Sequence, residues 1–134
     1  MNYKPNDLLV MKILYVEDNE FNAMLIEMAL KGRGYHVTLA RNPKEAMEIV
    51  KQKSFDLVLM DINLGDDELD GVALMHQIRS QYPTYKLTPF YALTAYAMPD
   101  DEIRFLKEGF DRYYPKPIEL PSFFNGLAMI SQPA

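Results

Sequence analysis

Three acidic residues, a hydroxyl residue and a lysine follow the ends of four short apolar runs in this 134-residue chain. They are Glu17, Asp18, Asp61, Thr94 and Lys116. If the runs are parallel strands of one sheet, these side chains meet at one edge, since open parallel sheets bind ligands outside the carboxyl ends of their strands. Adjacent strand residues point to opposite faces, so Glu17 and Asp18 can share a site only if the chain turns there.

Three carboxylates at one edge favour a divalent cation. Two like charges about 4 Å apart repel by roughly 4 kcal/mol at an effective dielectric near 20. This equals about three pKa units, so one acid would otherwise keep its proton. Ligands that are all oxygen favour Mg²⁺, which needs few protein ligands and also holds phosphate oxygens. The set therefore predicts phosphoryl transfer through an aspartyl phosphate, with Lys116 as a fixed positive charge and Thr94 as a hydroxyl donor.

The elements that must position these residues alternate between strands and helices. Buried strands are predicted from short apolar runs at residues 12–16, 35–40, 55–60, 89–93 and 112–114. Strands that alternate with helices indicate a parallel sheet covered by helices on both faces, and near-continuous apolar strands agree with burial on both sides.

Five helices are predicted between and after the strands. The first spans residues 19–30 and the second opens at Asn42-Pro43, where Asn caps and Pro suits the first turn. The third precedes the fourth strand, the fourth opens at Pro99-Asp100, and the last opens at Pro121. In order, their apolar positions are Phe21, Met24, Leu25 and Met28; Ala46, Ile49 and Val50; Val72, Met75 and Ile78; Ile103, Leu106 and Phe110; and Phe124, Leu127 and Ala128.

Composition excludes several classes of function. The chain is 49% apolar and 25% charged, as expected of one folded domain. A net charge of −5 without basic clusters argues against a nucleic-acid or membrane partner. The chain contains no cysteine, which rules out disulfides, and neither a signal peptide nor a membrane-spanning stretch is predicted. We therefore expect a cytoplasmic protein.

Four stretches resemble the receiver domain of response regulators, the phosphoacceptor half of two-component signalling. They are ILYVEDN (13–19), LVLMDINL (57–64), ALTAYAM (92–98) and YYPKPI (113–118). The resemblance implies a flavodoxin-like, doubly wound α/β fold with a five-stranded parallel sheet in the order 2-1-3-4-5. Residues 12–131 would form the receiver domain and residues 1–11 an N-terminal extension or linker remnant.

The resemblance also implies a role for each matched residue. Asp61 corresponds to the phosphorylated aspartate, and Lys116 to the lysine that precedes a proline whose peptide bond is usually cis. The implied Mg²⁺ ligands are Glu17, Asp18, Asp61 and the backbone carbonyl of Asn63. The implied switch residues are Thr94 and Tyr113. Two departures concern the loop after Asp61, where Leu64-Gly65 and the acidic residues 66–68 replace the usual pattern, and Tyr91, which replaces a smaller core residue.

The function implied is Mg²⁺-dependent transfer of a phosphoryl group from a histidine kinase or histidine phosphotransfer protein to Asp61, which switches a protein-interaction face. The domain would be no enzyme beyond its own phosphorylation and slow dephosphorylation. A receiver-like interaction module without phosphorylation is the alternative. A phosphatase is disfavoured because Asn63 cannot serve as a general acid, and a flavin or nucleotide site because acids follow the first strand. A homodimer through the face of the fourth helix stays open, as does the choice between a stand-alone regulator and a segment of a hybrid kinase.

Overall fold

Five strands form one parallel sheet in the computed structural model, which describes residues 10–63, 70–95 and 98–131. The strands are β1 (Lys12–Val16), β2 (His36–Ala40), β3 (Leu57–Asp61), β4 (Phe90–Thr94) and β5 (Arg112–Pro115). Their order is β2-β1-β3-β4-β5, and each neighbouring pair is parallel. The predicted doubly wound fold and strand order are confirmed.

Five helices follow the strands in turn. They are α1 (Glu20–Gly32), α2 (Pro43–Gln52), α3 (Gly71–Gln81), α4 (Asp101–Glu108) and α5 (Leu120–Ser131), with a short 3₁₀ helix at Pro83–Tyr85. Side-chain caps begin the first two helices: the Oδ1 atoms of Asn19 and Asn42 accept hydrogen bonds from backbone N–H groups three residues ahead. None of the helices in the described part of the chain is long and apolar enough to cross a bilayer.

The alternation of strand side chains divides the core into two layers. One layer packs under α1 and α5 and includes Ile13, Tyr15, Leu59, Tyr91, Leu93 and Phe123. The other packs under α2, α3 and α4 and includes Leu14, Val16, Met60, Phe90, Leu74 and Phe105. Helices therefore cover both faces of the sheet, as predicted.

The apolar face assigned to α1 from the sequence is wrong. Phe21, Met24, Leu25 and Met28 are exposed, with 48–64% of each accessible. The residues that face the sheet are Ala23, Ile26 and Leu30. The helix carries two apolar stripes at helical spacing, and the cap at Asn19 and the end of β1 decide which stripe turns inward.

Two smaller corrections concern α4 and β4. Ile103 and Leu106 of α4 are exposed and Phe110 lies beyond the helix end, whereas Phe105 points inward. Tyr91 is buried, and its hydroxyl donates to the backbone carbonyl of Gly126 at 2.9 Å. Gly126 leaves room for a second tyrosine, because a Cβ there would overlap the hydroxyl of Tyr114. Tyr91 of β4 is thus tied to α5 by a hydrogen bond to Gly126, and the missing side chain of Gly126 makes room for Tyr114 of β5.

Candidate functional site

The residues predicted to do chemistry stand at the carboxyl edge of four neighbouring strands. Asp61 and Thr94 are the last residues of β3 and β4. Glu17 and Asp18 follow β1 directly, and Lys116 follows β5. Parallel pairing of these strands brings all five to one edge of the sheet.

The three carboxylates converge. Glu17, Asp18 and Asp61 each offer an oxygen, and these oxygens lie within 4.8 Å of one another. The Glu17 N–H donates to the carbonyl of Ala40 at 2.9 Å, which extends the pairing of β1 with β2 by one residue, and the chain bends at Asp18. As a result Glu17 is buried while Asp18 is exposed, yet both reach the same cluster.

Lys116 joins two of the acids. Its Nζ atom lies 2.7 Å from Glu17 Oε1 and 3.4 Å from Asp61 Oδ1. The backbone N–H of Asn63 also donates to Asp61 Oδ1, at 3.1 Å. A single ammonium group therefore serves two carboxylates that are almost fully buried.

Because of this arrangement, the two buried acids, Asp61 and Glu17, differ in their affinity for a proton. Burial, together with the hydrogen bond and charge of Glu17, raises the pKa of Asp61 to about 7, against the smaller opposing effect of Lys116. Burial also disfavours the charged form of Glu17, but its hydrogen bonds with Asp61, Lys116 and Tyr15 outweigh burial and hold the pKa of Glu17 below its ordinary value. Of the two buried acids, Asp61 is thus the one that holds a proton more tightly, as expected when carboxylates crowd together without a cation.

The cluster fits a magnesium ion. Its donors are all carboxylate oxygens, which Mg²⁺ prefers, and the exposed Asp18 leaves the cluster accessible from solvent. A bound cation would also relieve the charge that keeps Asp61 protonated. Asn63 lies beside the cluster, although its backbone carbonyl as a ligand stays a prediction.

Thr94 and Tyr113 are the residues predicted to act as a switch. Thr94 is buried, and its hydroxyl donates to Asn63 Oδ1 at 3.2 Å. Tyr113 is half-buried, and its ring stacks on Phe105 of α4 with the ring centres 5.8 Å apart. Thr94 therefore touches the site, while Tyr113 connects β5 with α4.

Sequence reasoning missed Tyr15. This residue of β1 is fully buried, and its hydroxyl donates to Glu17 Oε1 at 2.9 Å. The signal was present, because residues two apart on a strand share a face and Tyr15 lies two residues before Glu17. The apolar run predicts core packing for Tyr15, but a buried phenol oxygen also needs a hydrogen-bond partner.

Two segments border the site: the one after β5, which the structure describes, and the one after β3, which lies partly outside the described residues. The peptide bond between Lys116 and Pro117 is cis, as the resemblance implies. Leu64, Gly65 and the acidic residues 66–68 lie outside the described residues. After them, the Gly71 N–H donates to the carbonyl of Ile62 at 3.1 Å, and a Cβ on Gly71 would lie 2.5 Å from the Asp61 carbonyl oxygen. The start of α3 is thus packed directly against the end of β3.

A family model described as the response regulator receiver domain matches residues 13–127. The chain belongs to this family. Among curated relatives, it is 38% identical to the signal transduction histidine-protein kinase BarA of Shigella flexneri over 87% of this chain and 12% of that one. It is 34% identical to the polar-differentiation response regulator DivK of Brucella anthropi, over 84% of this chain and 89% of that one. The receiver domain thus spans about an eighth of the kinase but most of the regulator.

Solved structures agree with this assignment. The receiver domain of the sensor histidine kinase PA1611 from Pseudomonas aeruginosa PAO1 is 33% identical, with a TM-score of 0.79 over 91% of this chain and 98% of that one. That structure has a magnesium ion coordinated in its active site cleft. The predicted family, fold and phosphoacceptor role in two-component signalling are confirmed.

Proposed function

We propose that Asp61 is the phosphorylated residue and that the transfer depends on Mg²⁺. The observation that carries this assignment is the position of Asp61, buried at the end of β3 between the other carboxylates and Lys116. Lys116 and the Asn63 N–H hold Oδ1, so we assign the attack to Oδ2. Oδ2 forms the new bond to phosphorus while the bond from phosphorus to the donor nitrogen breaks, and its electron pair stays on that nitrogen.

Each neighbour has a separate task in this proposal. Glu17, Asp18, Asp61 and the Asn63 carbonyl hold Mg²⁺, which when bound offsets carboxylate charge and binds phosphoryl oxygens. Lys116 supplies a fixed positive charge for the phosphoryl group, and Thr94 donates its hydroxyl to it. Positioning and charge neutralisation supply most of the catalysis in phosphoryl transfer. Slow self-hydrolysis is expected, without turnover of other phosphoesters.

The phosphodonor is a histidine kinase or a histidine phosphotransfer protein in this proposal, and it docks on α1. The exposed apolar stripe of Phe21, Met24, Leu25 and Met28 begins beside the acidic pair and runs away from the site. A mostly apolar groove of about 270 Å³ continues this stripe and is lined by Leu25, Ile26, Ile118 and Leu120, with Lys116 at one end. An apolar helical stripe beside a groove suits a partner helix.

The outgoing signal would use the opposite side of the site. Phosphorylation draws Thr94 toward the phosphoryl group, and Tyr113 transmits this change to α4 through its contact with Phe105. Exposed Ile103 and Leu106 on α4 support a homodimer or a target protein on that face. Residues 12–131 form the receiver domain in this proposal.

Intact mass after incubation with acetyl phosphate and Mg²⁺ tests the acceptor. The wild type should gain one phosphoryl group and Asp61→Asn should gain none. Asp56→Asn is a matched control, because Asp56 immediately precedes β3 at the opposite edge of the sheet, and it should be phosphorylated like the wild type. Equal phosphorylation of Asp61→Asn would refute the assignment. A wild type that is not phosphorylated would favour the alternative of an interaction module.

A further inference from the structure

The buried phenol of Tyr15 reaches into the acidic cluster from the core. Its hydroxyl donates to Glu17 Oε1 at 2.9 Å, and the same oxygen accepts Lys116 Nζ at 2.7 Å. The other oxygen, Oε2, accepts the backbone N–H of Asn19 at 3.3 Å. Two short hydrogen bonds thus hold Oε1, and the hydrogen bond from Asn19 to Oε2 is longer.

The ring of Tyr15 is itself held firmly. It is fully buried in the core layer under α1 and α5, and the strand pairs with neighbours on both sides. Tyr15 lies at the base of the groove between α1 and the segment after β5. The phenol oxygen therefore has little freedom, and the hydrogen bond transfers this rigidity to Glu17.

We propose that Tyr15 is a positioning residue for the magnesium site: its hydroxyl and Lys116 together fix Glu17 Oε1, so that Oε2 faces the cation. This inference depends on the proposed function, because it assigns Glu17 to the ion. Partners that orient a metal ligand through a hydrogen bond contribute to affinity although they never touch the metal. Without the hydroxyl, Glu17 can rotate about its side-chain torsions, and the oxygen presented to the ion is no longer defined.

Calorimetric titration of the whole chain with Mg²⁺, without any phosphodonor, tests this role. Tyr15→Phe keeps the ring and should weaken Mg²⁺ binding by about tenfold, the lower end of what losing such a partner costs. Phosphorylation by acetyl phosphate should need correspondingly more Mg²⁺ but should reach the wild-type rate when Mg²⁺ is saturating. Loss of positioning thus alters the Mg²⁺ requirement and leaves the maximal rate unchanged.

Tyr91→Phe is the matched control. Tyr91 is also a buried strand tyrosine, and its hydroxyl donates to the carbonyl of Gly126 at 2.9 Å. Both variants should lose similar thermal stability, but Tyr91→Phe should bind Mg²⁺ like the wild type. In a Glu17→Gln background, Tyr15→Phe should have little further effect on Mg²⁺ affinity, since the carboxylate that it positions is gone.

Wild-type Mg²⁺ affinity in Tyr15→Phe would overturn the inference, as would an undiminished effect of that change in the Glu17→Gln background. Phosphorylation at Asp61 could persist in either case, so the inference would fail without the proposed function. If the wild type bound no Mg²⁺, both would fail together. If Asp61→Asn were phosphorylated while Tyr15→Phe weakened Mg²⁺ binding, only the acceptor assignment would be wrong.

Discussion

Loss of a proton from Asp61 should make the stability of the metal-free domain depend on pH, and the substitution Asp61→Asn should remove this dependence. Burial and the neighbouring Glu17 raise the pKa of Asp61 from an ordinary 3.8 to about 7 in the folded protein. The folded state holds the proton of Asp61 more tightly than the unfolded state does, so protonation of Asp61 adds to the free energy of unfolding. This contribution is complete below pH 3.8. It is lost as the pH rises through about 7. Asp61→Asn has no proton to lose.

The size of the effect follows from these two pKa values. Between about pH 6 and about pH 8.5, release of the proton from folded Asp61 should lower the free energy of unfolding by about 1.4 kcal/mol. For a domain of this size the change corresponds to about 4 °C in melting temperature. The same pH interval should not produce this loss in Asp61→Asn.

Urea denaturation of both proteins in EDTA at the two pH values measures the difference directly. Outside the site the two proteins have the same residues, so contributions from those regions cancel in the comparison. Adding Mg²⁺ at the higher pH should stabilise the wild type more than Asp61→Asn, because the cation neutralises the charge that the proton had masked. Parallel pH profiles for the two proteins would show that Asp61 does not hold a proton near neutral pH, and the electrostatic account of the site would be refuted.

Three further predictions concern other parts of the molecule. Lys116→Ala should slow phosphorylation by acetyl phosphate about 10²-fold, measured by intact mass over time, because a fixed positive charge at the phosphoryl group is lost; a rate within threefold of wild type would contradict this role. Gly126→Ala should lower the free energy of unfolding, measured in urea, by about 1–3 kcal/mol. Adding Tyr114→Phe should recover most of that loss, since the new Cβ overlaps the hydroxyl of Tyr114. If the double variant is no more stable than Gly126→Ala, the strain lies elsewhere. Met28→Glu should slow phosphotransfer from a histidine kinase but not from acetyl phosphate, whereas the equally exposed Met129→Glu on α5 should affect neither.

The sequence predicted the strand ends better than the helix faces. β3 and β4 are short apolar runs that are buried along their whole length, so their positions follow from composition. In α1 the stripe through Phe21 and Met28 is as apolar as the stripe through Ala23 and Leu30, and helical spacing cannot choose between them. The choice depends on how the helix leaves β1, which is a tertiary property.

In the site, too, some features could be predicted from the sequence and others could not. Residue types at strand ends were enough to predict that carboxylates and Lys116 share one edge. Whether adjacent Glu17 and Asp18 could both face that edge depended on the bend of the chain at Asp18, which the residue types alone do not show. The role of Tyr15 depended on a single atom in a residue that otherwise belongs to the core. A bend after a strand leaves no periodic signal in a sequence, whereas the two-residue spacing of Tyr15 and Glu17 is such a signal.

The tight junction between β3 and α3 has a consequence for how such a domain can be adapted. Gly71 leaves no space between the first turn of α3 and the strand that carries Asp61, and the Asn63 N–H donates to the carboxylate of Asp61. The described residues on either side of the segment 64–69 are therefore anchored to the end of β3. With Asp61 as the proposed acceptor, we expect changes of length or charge within that segment to leave its position unaltered, because both anchors lie outside the segment.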